Sequence, residues 1–285
     1  MEINTMELWY RLVELLPFSW VEFDFMKNAL LAVILISFLF GHLGAMVINR
    51  QMAFFSDAIG HAALTGLAIG VILGLNDPLW AMLIFSVILS LCITYLRKIS
   101  LSSADTIIGL FMAFSIALGV VLLSRGGNFN KYSTYLIGDI LSITKQEITG
   151  IIVIIILVLI FWFFYFNRLF LLSINPSLAK SRDVNIWLLD FLFSSLVAMM
   201  VTLSIQWIGL LVINSLLILP ASTARNISKN SFQYLWFSVA ISLIASLSGL
   251  VASFYWGTAT GATIVLFAMG LFVISLVLKI KYRDE

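Results

Sequence analysis

The chain has 285 residues, 62% of them hydrophobic and 11% charged, with a mean hydropathy of +1.10 and a formal net charge of +2. Soluble domains lie nearer ~45–50% apolar and ~25% charged, so the composition excludes a soluble enzyme, a disordered chain and a nucleic-acid-binding module. So small a charge implies no polyanionic partner, and the single cysteine, Cys92, can close no internal disulfide.

Residues 1–26 carry Glu2, Glu7, Glu14, Glu22 and Asp24 against Arg11. With no basic n-region and no small-residue cleavage site, no cleavable signal is expected. Met6 to Leu16 suits an amphipathic turn or two, so 1–26 is expected to be an interfacial segment lying on the membrane. Apolar runs follow at 27–48, 52–75, 78–96, 106–124, 148–167, 186–205, 208–220, 233–254 and 260–278. A crossing helix needs about 20 such residues. All the runs qualify except 208–220, whose length suits a half-helix or re-entrant piece better. The ten-residue alternation of barrel strands is absent. The expectation is an all-α polytopic membrane protein with eight or nine transmembrane helices.

Lysine and arginine set the orientation. On alternate sides they divide eleven to five, and the five share their side with eight acidic residues. The richer side is cytoplasmic and includes the C-terminus. Between the runs, 125–147 forms the long outer loop. Residues 168–185 form the longest cytoplasmic loop, and 220–232 a second one starting at Pro220. In the first cytoplasmic loop, Asn175 is placed to cap and Pro176 to start a short amphipathic helix.

Ionisable groups inside hydrocarbon are costly and mark function by default. This chain has His42, Asp57, His61 and Asp190 there. Asp57 and His61 are four residues apart, hence on one helix face. Counting from Met52, His61 lies roughly 13 Å deep at 1.5 Å per residue. A carboxylate with an imidazole suits zinc, or manganese with more oxygen ligands. Two ligands do not complete a site, whereas a symmetric dimer would bring four to its axis. The competing reading is a structural hydrogen-bonded pair that ties helices together. His42, between Gly41 and Leu43, fits helix packing as well as a pathway. Asp190 reads as an interfacial group near a helix start. No zinc-protease, nucleophile-elbow, phosphate-loop or dinucleotide motif appears. Active transport would therefore draw on an ion gradient or a separate ATPase.

Five fragments in order carry a resemblance. They are MAFFSDAIGHAALTGLAIG (Met52–Gly70), Ser103-Ala104-Asp105-Thr106, Tyr135–Leu141, LVINSLLILPASTAR (Leu211–Arg225) and Gly261–Leu266. Together the chain resembles the zinc/manganese-type metal-cation permeases of bacterial ATP-binding-cassette importers. Gly60 departs from the family, where serine is common, and is expected to loosen packing or remove a hydroxyl. The resemblance implies one transmembrane permease domain over 1–285, with a fold similar to the vitamin B12 importer permease but with fewer spans. It implies a location in the bacterial plasma membrane. It implies no enzymatic activity of the chain's own and no permanently bound cofactor, only transported zinc or manganese. The partners it implies are two cytoplasmic ATPase subunits, a second copy of the chain, an extracytoplasmic metal-binding receptor and membrane lipid, with no nucleic acid. Asp57 and His61 match the family's pathway carboxylate and histidine. The loop 168–185 matches its coupling element, with Pro176, Leu178, Ala179 and Arg182 as docking residues. A secondary metal or proton-coupled carrier is the alternative.

Overall fold

Where no water can take up backbone hydrogen bonds, an apolar run must close its N–H and C=O groups within a helix. The computed structural model, which describes residues 5–15, 17–75, 77–126, 138–174, 176–182 and 185–281, shows that outcome. It begins with a short helix α1 (Thr5–Glu14) and a 3-10 turn (Ser19–Glu22). The long helices α2 (Asp24–Asn49), α3 (Phe55–Ile72), α4 (Leu79–Ile99), α5 (Ala104–Gly126) and α6 (Lys145–Ile174) follow. After the short α7 (Pro176–Ser181) come α8 (Ile186–Ile208), α9 (Leu210–Ile227), α10 (Ser231–Trp256) and α11 (Thr260–Lys281). Nine helices among the described residues are long and apolar enough to cross a membrane.

Two boundaries differ from the sequence expectation. Residues 208–220 are no half-helix: α9 runs through Pro220 to Ile227, which shortens the second cytoplasmic loop to three residues, Ser228 to Asn230. Hydropathy falls where Ser222, Thr223, Arg225 and Asn226 begin, but Thr223 and Asn226 are satisfied within the bundle. Thr223 Oγ1 donates to the Leu219 carbonyl at 2.7 Å, and Asn226 Nδ2 donates to Ser275 Oγ at 3.0 Å. A membrane helix tolerates proline when its neighbours enclose it, and Pro220 is buried. Likewise α6 continues past Arg168 to Ile174, because Leu169 and Leu172 extend its buried face while Arg168 stays exposed. The short helix expected at Pro176 forms, although its proposed cap Asn175 lies outside the described residues.

The N-terminal segment is pinned to the start of α2. Trp9 Nε1 donates to the Lys27 carbonyl at 2.9 Å, Tyr10 OH donates to Asn28 Oδ1 at 2.7 Å, and Lys27 Nζ reaches Glu14 Oε1 at 2.7 Å. Helix α2 is the central element, packed on α9 and α10, while α3 packs on α4 and α5 and α8 packs on α4. Small residues let backbones approach closely in membranes. Gly44 of α2 presses on the Leu217 carbonyl of α9, so that a Cβ there would come 2.1 Å from that oxygen. Gly44→Ala is therefore expected to destabilise the bundle by about 1–3 kcal/mol, the usual cost of overpacking. Thermal unfolding of the purified protein in detergent measures it, and an unchanged midpoint would show that α2 and α9 can part without cost.

Candidate functional site

Asp57 sits in the first turn of α3, where the partial positive charge of the helix end favours a carboxylate. His61 follows one turn later, with its Nε2 3.7 Å from Asp57 Oδ1. Asn214, in the second turn of α9, donates from Nδ2 to the same Oδ1 at 2.6 Å. This contact spans 157 positions of chain and joins the two helices at the acid. Both contacts fall on Oδ1, and no hydrogen bond to Oδ2 comes from the described residues. Asn214 Oδ1 is buried and accepts no hydrogen bond from the described residues, which puts a further oxygen beside the pair.

The backbone beneath the pair is held firmly. Thr65 Oγ1 contacts the His61 carbonyl at 3.1 Å and donates to the Ser115 carbonyl of α5 at 2.6 Å. Of the two effects expected of Gly60, looser packing is absent here. The Leu210 side chain occupies the space a Cβ would need, 1.9 Å from its ideal position. A serine at 60 would force Leu210 to turn away, so glycine here lets α9 begin close to α3.

Asp57 and His61 have side chains 29% and 24% exposed in the single chain. Leu64 of α3 and Leu211, Ser215, Ile218 and Ser222 of α9 continue this half-open face at helical spacing. No cluster of three or more histidine, cysteine, aspartate or glutamate side chains able to hold a metal occurs among the described residues. One chain thus presents an acid, an imidazole and an amide to an open face, a set able to engage a divalent cation but too small to enclose one.

The other intramembrane ionisable groups lie elsewhere. His42 packs among Phe38, Trp162 and Trp236, with ring centroids 5.5, 6.2 and 6.1 Å away, and takes no part in the pair. Asp190 is ion-paired with Arg50 Nη2 and, at 2.6 Å, with Lys98 Nζ, at the cytoplasmic ends of α2, α4 and α8. Of the docking residues, Ala179 is fully buried and Arg182 is exposed, while the side chains of Pro176 and Leu178 lie outside the described set. In the outer fragment Tyr135–Leu141 only 138–141 are described. Gly138, with φ +70°, lies against the Ile208–Gly209 backbone where no Cβ would fit. Sequence reasoning missed Asn214. Its signal was present, an amide in the middle of an otherwise apolar helix start, but nothing local connects it to Asp57.

The model of the ABC 3 transport family matches residues 22–279. The chain is 32% identical over 255 residues to the high-affinity zinc uptake system membrane protein ZnuB of Haemophilus influenzae, covering 89% of this chain and 97% of that protein. It is also 32% identical over 264 residues to the manganese import system permease protein ScaB of Streptococcus parasanguinis, covering 93% and 94%. Among solved structures, PsaBC from Streptococcus pneumoniae in complex with Fab superposes with a TM-score of 0.78 at 28% identity, over 90% of this chain and 92% of that one.

Proposed function

Because this chain belongs to the ABC 3 transport family, we infer that Asp57 and His61 line the route by which a divalent transition-metal cation, zinc or manganese, enters the cytoplasm. The chain is a multi-pass permease subunit of an ATP-binding-cassette importer in the bacterial plasma membrane. One observation carries the inference. A carboxylate and an imidazole, steadied by Asn214, stand half-open on membrane-spanning helices, where exposure to lipid would be costly. A second copy placed against this face supplies another acid and imidazole and closes the site.

In this mechanism an extracytoplasmic receptor delivers the ion to the outer mouth. The ion exchanges water for Asp57 Oδ2 and His61 Nε2, and both groups must be unprotonated to take it. Asn214 keeps the carboxylate turned toward the face, and Thr65 keeps α3 anchored to α5. Two cytoplasmic ATPase subunits bind ATP and draw together. Their motion enters through α7 and its flanks, where Arg182 offers the exposed contact and buried Ala179 transmits the push to the bundle. Few ligands per copy keep the ion loosely held, so it can leave as the helices part.

The test is uptake of zinc or manganese into proteoliposomes holding the permease, the ATPase and the receptor. Import that requires hydrolysable ATP supports the proposal. Equal import without ATP, driven by an imposed proton gradient, would make the chain a secondary carrier instead.

A further inference from the structure

The transport mechanism leaves a second polar region unused. Near the cytoplasmic ends of α2, α4 and α8, a cavity of about 370 Å³ is lined by Arg50, Thr94, Arg97, Lys98, Ser173 and Asp190. Asp190 engages Arg50 and Lys98, and Arg97 Nη2 donates to the Arg50 carbonyl at 3.4 Å. Three donors remain buried with no acceptor among the described residues: Arg50 Nη1, Thr94 Oγ1 and Arg97 Nε. The Arg50 side chain is only 10% exposed.

The charges do not balance either. Asp190 meets Arg50 and Lys98, and Asp105 lies within electrostatic reach of Arg97, so three cations face two carboxylates and one positive charge is left over. Burial, reinforced by the neighbouring Arg97, pushes the Arg50 guanidinium down to about 10. An uncompensated charge away from water is expensive unless a partner anion fills the site. Guanidinium and hydroxyl donors converging on one space suit a tetrahedral oxyanion.

The surroundings of Lys98, which lines the cavity, point to the membrane. Trp187 and Tyr95 are 43% and 50% exposed, their rings lie 6.0 Å apart, and Lys98 Nζ sits 4.3 Å over the Trp187 ring. Tryptophan and tyrosine favour the headgroup level of a bilayer, and basic pockets between helices on the cytoplasmic side take anionic headgroups.

We propose that this cavity binds a phosphate group bearing one net negative charge, such as the phosphodiester of an anionic phospholipid headgroup. The phosphate oxygens accept from Arg50, Thr94 and Arg97, while Asp190 keeps Arg50 and Lys98 in place. Leu172 and Ser173 before α7 and Ile186 after it also line the cavity, so an occupant would brace both flanks of that helix.

The experiment places the full-length permease in nanodiscs of phosphatidylcholine alone, of phosphatidylcholine with phosphatidylglycerol, or of phosphatidylcholine with added inorganic phosphate. Retained lipid is read by native mass spectrometry, and the unfolding midpoint is followed in parallel. Retained phosphatidylglycerol with a raised midpoint is the expected result, and Arg97→Gln should lower retention roughly tenfold, as loss of a charged hydrogen bond implies. A midpoint raised by inorganic phosphate alone, and abolished by the same variant, supports the phosphate site with a free ion as its occupant. Thr94→Val, which removes a hydroxyl with little change of shape, repeats the test if Arg97→Gln folds poorly. Equal retention in wild type and both variants, or no response to either phosphate source, would overturn the proposal.

Discussion

Asp57→Ala and His61→Ala are each expected to reduce uptake of zinc and of manganese more than ~100-fold, with membrane insertion and ATPase association unchanged. The size follows from the donor count. Losing an outer partner of a metal ligand typically costs ~10–100-fold, and on the proposed pathway each of these substitutions would remove a direct ligand, twice over if two copies face each other. Asn214→Leu is the graded comparison. It removes the 2.6 Å hydrogen bond to Asp57 Oδ1 but neither ligand, so its loss should fall within ~10–100-fold. Radiolabelled or fluorescent-indicator metal uptake in whole cells, normalised to membrane-extracted protein, gives the ranking. Normal uptake by both alanine variants at normal expression would remove the pair from the pathway. A structural pair makes a different prediction, in which all three variants lose yield and thermal stability together while the protein that remains transports normally.

Arg182→Glu is expected to uncouple transport from ATP hydrolysis. Arg182 is exposed beside α7, and reversing its charge in a docking contact should lower ATP-stimulated uptake roughly tenfold, the scale of a strong interface residue. Receptor binding at the opposite membrane face should not change. Pro176→Gly should act in the same direction by loosening the start of α7, since proline's fixed backbone angle is suited to a first helical position. ATPase activity and uptake measured on the same proteoliposomes separate the outcomes. Stimulation equal to wild type in both variants would move the coupling contact elsewhere.

Much of the architecture was legible because the bilayer imposes a length rule. Each crossing needs about 20 apolar residues, and lysine and arginine mark the flanks. The errors arose where that rule ceases to apply. Hydropathy cuts α9 short at Pro220 because it measures transfer to lipid, whereas Thr223 and Asn226 are satisfied inside the bundle. Hydropathy likewise ends α6 near Arg168, although a long side chain can extend to water while its helix continues. The sequence places Asp190 near a helix start, but its partners Arg50 and Lys98 come from the ends of two other helices that no local pattern joins to it.

What the sequence alone determined is what depends on short separations. The eight long apolar runs, the shared face of Asp57 and His61 and the short helix at Pro176 follow from helical periodicity and local backbone preference, which act over a few residues, whereas the full length of α9 came from the structure. The tertiary structure decided what depends on which helices become neighbours. It brought Asn214 to Asp57, filled the space at Gly60 with Leu210 and gathered three cations around one cavity. Those contacts arise from close packing between segments many residues apart, and that packing is fixed only when all the helices are in place.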